Sequence, residues 1–93
     1  MAVNRLTQEE SINKIKTIVK KLKENIGYYA ILTIRKRNKY TPYLIKIKLS
    51  GNKFLGEYKT YKENGEYNAT LVQTIRPEDL ISEEQKIYFL HEK

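Results

Sequence analysis

Tyr43-Leu44-Ile45-Lys46-Ile47-Lys48-Leu49-Ser50-Gly51-Asn52-Lys53-Phe54-Leu55-Gly56-Glu57-Tyr58 decides the fold. Tyr43, Ile45, Ile47 and Leu49 alternate with Leu44, Lys46, Lys48 and Ser50, the period of a strand with one buried face. Gly51-Asn52 puts glycine at the first central position of a two-residue loop, as a type II′ hairpin requires. Pairing across it sets Leu49 opposite Phe54, Ile47 opposite Gly56 and Ile45 opposite Tyr58.

Both flanks continue this alternation. Upstream, Tyr28, Ala30, Leu32 and Ile34 alternate with Tyr29, Ile31, Thr33 and Arg35, and Asn38-Lys39 is the expected turn. That turn pairs Ile34 with Tyr43, Leu32 with Ile45, Ala30 with Ile47 and Tyr28 with Leu49. Downstream, Asn64-Gly65 is read as a type I′ turn that pairs Thr60 with Ala69, Tyr58 with Leu71 and Phe54 with Ile75. The expected strands cover about 27–37, 41–50, 53–62 and 66–76. All three turns place the large apolar groups on one face, and a slip of one residue would scatter them.

The N-terminal segment supplies the cover. Thr7-Gln8-Glu9-Glu10 fits a capping box, and Ile12, Ile15, Ile18, Val19, Leu22 and Ile26 form one helical stripe over about 8–26. Gly27 suits a left-handed C-terminal cap. Arg76-Pro77 ends the fourth strand, and a short helical piece is expected within Pro77–Lys86. Ile87-Tyr88-Phe89-Leu90 reads as a fifth strand, an arm on the sheet, or a contact with another subunit. The expected architecture is therefore one α+β domain over 1–93, a helix on a four-stranded antiparallel meander with a tail over 77–93.

Composition narrows the partners. The chain has 93 residues, no cysteine, and 18 Lys and Arg against 11 acids, a net charge of +7. Disulfides and thiolate metal sites are excluded, and a reducing, cytoplasmic setting is expected. No apolar run is long enough for a membrane span or the core of a signal peptide. Residues 11–62 hold fourteen basic side chains but only two acids, Glu24 and Glu57, whereas 63–93 are net acidic. Such segregation favours a polyanion on the basic part.

By these registers the second sheet face carries Tyr29, Arg35, Arg37, Lys46, Lys48, Lys59, Tyr61 and Arg76, with Lys39 on the adjoining hairpin tip. Aromatic planes interleaved with cations suit single-stranded DNA or RNA, because bases stack while Lys and Arg follow the phosphates. The tip Arg35-Lys36-Arg37-Asn38-Lys39 suits phosphate contact, or equally protects an edge. Lys46 and Glu57 face each other as an ordinary cross-strand pair.

Ile31, Leu44, Leu55 and Val72 on the same face suggest an alternative, a small dimeric protein-interaction or inhibitory module. No phosphate-binding loop, metal-ligand set or nucleophile–base set is present, and the lone His91 is a terminal group, so no enzyme, cofactor or small-molecule substrate is expected. The RNP signature, the GXXG loop and zinc ligands are missing too. The expectation is a non-catalytic nucleic-acid-binding protein.

Overall fold

A computed structural model of the chain describes residues 8–91. Helix α1 (Gln8–Glu24) is followed by strands β1 (Tyr29–Lys36), β2 (Lys39–Ser50), β3 (Lys53–Tyr61) and β4 (Tyr67–Ile75). A short helix α2 (Pro77–Ser82) leads to β5 (Gln85–Phe89). The strands form one antiparallel sheet in the order β4-β3-β2-β1-β5. The chain is α+β, and Ile87–Phe89 belong to a fifth strand paired with β1.

α1 begins with Glu9 and Glu10 and ends with Lys21 and Lys23, charges that complement its dipole. Thr7 of the expected capping box lies outside the described residues. The helix stops at Glu24, two residues before the expected end, so Ile26 leaves the stripe and is exposed. The chain then turns through Gly27 at φ 87, whose amide donates to the Ile47 carbonyl (2.7 Å). Asn25 is buried in this turn and donates to the Lys21 carbonyl (2.8 Å).

Leu22, Ala30, Leu32, Ile45, Ile47, Phe54, Ile75 and Phe89 form the core, with Ile18, Val19, Leu80 and Ile87 packed against it. Gly56 is needed where Ile45 crosses it, since a Cβ there would lie 2.6 Å from Ile45 Cδ1. Gln85, also buried, belongs to β5 yet receives the Arg76 amide (3.3 Å) and donates to the Thr74 carbonyl at the end of β4 (3.1 Å). Its backbone pairs with Ile34 of β1. The sheet is thus curled far enough for one side chain to join its two edges around the core.

The β2–β3 turn is as expected: Leu49 faces Phe54, Ile47 faces Gly56, and Gly51 has φ 60. The first hairpin differs. Its turn is Arg37-Asn38, both with positive φ (48° and 66°), so Ile34 pairs with Thr41, Leu32 with Tyr43 and Ala30 with Ile45. A type I′ turn needs left-handed backbone at both central residues. Asn38 tolerates that at the second position, where the expected turn would have required it of Lys39. The shift is two residues, an even number, so every side chain keeps its expected face.

The third hairpin closes through three residues, not two. The Gly65 amide donates to the Lys62 carbonyl (2.9 Å), Gly65 has φ 90, and the Lys62 amide donates to the Glu66 carbonyl (2.8 Å). A bulge beside Thr60/Tyr61 takes up the extra residue, so Thr60–Ala69, Tyr58–Leu71 and Phe54–Ile75 pair as expected.

Candidate nucleic-acid interface

Both helices pack on the core side of the sheet, and none of the described elements covers the opposite face. α2 lies beside α1, and β5 extends the sheet past β1 instead of folding across it. The five strands contain one acid between them, Glu57. Of the described acids in 63–91, Glu78, Asp79, Glu83 and Glu84 gather around α2, and Glu63 and Glu66 lie in the β3–β4 turn.

Four of the expected contact residues meet. Tyr29, Lys46, Lys59 and Tyr61 line one groove of about 800 Å³, which also reaches Tyr43 and Tyr58 where β2 and β3 stop pairing beyond Lys46 and Glu57, with Pro42, Leu44, Glu57 and Leu90 completing it. Register explains the meeting: Tyr29 of β1 faces Lys46 of β2, which faces Glu57 of β3. The Lys46 ammonium lies 5.4 Å from the centroid of Tyr29, a cation–π distance that leaves the ring half-exposed. Glu57 sits directly opposite Lys46 yet forms its ion pair with Lys48, at 4.0 Å.

The other expected cations are placed differently. Arg35, Arg37 and Lys39 belong to the β1–β2 tip and do not line the groove. Arg76 stands at the far end of β4, held by Glu78 (3.5 Å) and Asp79 (3.8 Å) of α2. Of the aliphatic set, Leu44 and Val72 are exposed, while Ile31 and Leu55 are half-buried. Leu44 on β2 and Val72 on β4 are separated by β3, whose Glu57 and Lys59 point to this face.

Three further tyrosines join the face. Tyr40 pairs with Arg35, its hydroxyl donates to the Glu83 carbonyl (3.4 Å), and Lys86 lies 4.5 Å from its ring centroid. Tyr67 is set opposite Tyr61 by the bulge, edge to face at 6.4 Å, and its hydroxyl shares a 2.6 Å hydrogen bond with Thr70. Tyr88 pairs with Ile31 and is the most exposed, at 66%. The two-residue turn expected at Asn64-Gly65 would set Asn68 opposite Tyr61, and only the bulge brings Tyr67 there instead. The Tyr40 position follows from the first-hairpin register, and the Tyr88 position from the β1–β5 pairing.

Five of the eight tyrosines thus share the open face, all substantially exposed. Tyr43 and Tyr58 pack against the core, their ring centroids 4.9 Å apart, and line the groove from that side. Tyr28 stacks on His91 at 3.8 Å with an interplanar angle of 2°. A second cavity of about 660 Å³ lies between α1 and the β2–β3 turn, with Lys23, Lys53 and Arg76 at its rim. Its one aromatic residue is the buried Phe54, so it offers no exposed ring for a base.

Among the described residues no group of three or more His, Asp or Glu side chains is placed to hold a metal ion, and no helix is long and apolar enough to cross a membrane. The chain matches no protein-family model and no curated protein sequence.

Proposed function

We propose that the protein binds single-stranded nucleic acid, DNA or RNA, along the groove between Tyr29 and Tyr61, without catalysing a reaction. The observation that carries this reading is the meeting of two half-exposed tyrosines and two lysines round one open groove on a face with a single acid. Bases stack on Tyr29 and Tyr61, with Tyr40, Tyr67 and Tyr88 as further platforms beside them. Lys46 and Lys59 neutralise phosphates in the groove, and Arg35, Arg37 and Lys39 take the strand where it leaves toward the hairpin tip. A single strand fits better than a duplex, because exposed rings read unstacked base faces and a duplex presents none.

Binding of fluorescent oligonucleotides as a function of salt tests the proposal. If about five phosphates are neutralised, the logarithm of the affinity falls with the logarithm of salt at a slope near −3.5 for a single strand. A flat salt response, or no retention on any oligonucleotide at low salt, overturns it.

A further inference from the structure

The two edges of the sheet are built differently. β5 is short, Gln85–Phe89, and carries Lys86, both of which discourage pairing with another chain. β4 reads Tyr-Asn-Ala-Thr-Leu-Val-Gln-Thr-Ile over Tyr67–Ile75: nine residues with no charge, no proline and no glycine. In a protein with 31% charged residues this strand has only its bulge to blunt its edge. Only Ile75 of β4 is buried, whereas Leu71 and Val72 are 45% and 58% exposed.

The hydrogen-bond phase of the sheet tells which β4 groups face outward. Ser50 and Lys53 close the two-residue β2–β3 turn, so they exchange hydrogen bonds, and along β3 the odd residues face β2. The even residues of β3 therefore bond Ile75, Gln73, Leu71 and Ala69. Thr74, Val72 and Thr70 turn their amides and carbonyls away from the sheet. Gln85 agrees with this phase, since it takes the Thr74 carbonyl from the outer side. Its contact caps the last part of the edge and leaves Thr70 and Val72 as the outward pair beyond the bulge.

This remainder is self-complementary. We propose that β4 pairs antiparallel with β4 of a second copy of this chain, about a twofold axis at Leu71. In that register Thr70 faces Val72 of the other copy and Val72 faces its Thr70. Each pair exchanges two hydrogen bonds, four in all, and the two Leu71 side chains meet as the close, non-bonded pair between them. A second copy is the occupant the charge favours: two chains of net charge +7 repel, and an uncharged strand is where they approach at least cost. The axis stands perpendicular to the sheet, so both open faces look the same way.

Sedimentation of the full chain, free of nucleic acid, tests the pairing. The wild type should sediment as a dimer at about 100 μM, while Val72→Lys and Thr70→Pro should be monomeric there, each with the dissociation constant raised about tenfold or more. Thr70→Pro removes an amide that the isolated fold does not use, and Val72→Lys changes an exposed side chain, so both variants should keep the far-UV spectrum of the wild type. Amide exchange at Thr70 and Val72 should slow with rising protein concentration. A wild type that is monomeric at this concentration overturns the proposal. So does a dimer that survives both variants, a dimer lost only on Ile87→Pro in β5, or open-ended association. None of these results depends on nucleic-acid binding.

Discussion

Leu44 and Ile45 are neighbours in β2 and belong to opposite worlds. Ile45 is fully buried, packed over Gly56 and paired with Ala30. Leu44 is 59% exposed, in the groove with Tyr29 and Lys59. The same alternation runs through β1, β3 and β5, so one face of the sheet specifies the fold and the other is free to carry charge and rings. Hydrophobicity alone does not separate the two; position relative to α1 and α2 does.

The largest expected effect breaks that comparison on its buried side. Ile45→Ala should lower unfolding free energy by about 2–5 kcal/mol, because the helix above cannot collapse fully into the space. Leu44→Ala should change it by less than about 0.5 kcal/mol, because no core contact is lost. Denaturant unfolding of the two variants measures both. Equal losses would mean that the second face is also packed, and the groove would then be no binding surface.

A smaller effect sharpens the comparison on its open side. Tyr29→Ala combined with Tyr61→Ala should weaken oligonucleotide binding by about 1–3 kcal/mol for each base that loses its ring. The thermal midpoint should move little, since both rings are largely outside the core. Titration of a labelled single strand, alongside a thermal melt, separates the two quantities. Unchanged binding in the folded double variant would remove stacking from the proposed mode.

Which parts of this arrangement could be read from the chain follows from how local their determinants are. The β2–β3 hairpin was legible because Gly51 marks its own turn and the alternation beside it is clean. The helix was legible from its stripe and its charged ends. The first-hairpin register was not, because Arg37 carries no sign that it adopts a left-handed backbone. Asn64-Gly65 gave the right register for a different reason than expected, since a three-residue loop and a bulge offset each other. Tyr29, Lys46, Lys59 and Tyr61 were found because face parity survives a two-residue shift. Tyr67 and Tyr88 were missed because their places depend on that bulge and on a strand partner, Ile31, 57 residues away in sequence. Arg76 differs: the acids that hold it, Glu78 and Asp79, lie only two and three residues on, and they fold back to it once Pro77 starts α2.

Glu57 gives the smallest and most discriminating difference. It is the single acid of the strands, and its pair with Lys48 is loose and exposed on both sides. Such a pair is worth at most a few tenths of a kcal/mol to the fold, so Glu57→Gln should leave unfolding nearly unchanged. Toward a polyanion the substitution acts with the opposite sign. It frees the Lys48 ammonium and removes a negative charge from the groove, so oligonucleotide affinity should rise about two- to fivefold at low salt. That gain should fade as the screening length contracts to about 8 Å near physiological ionic strength. Binding assays at two salt concentrations read both parts. A fall in affinity would assign Glu57 to direct recognition of base edges, where a carboxylate accepts from an exocyclic amine, and the groove would then be selective in its sequence, not merely attractive to phosphate.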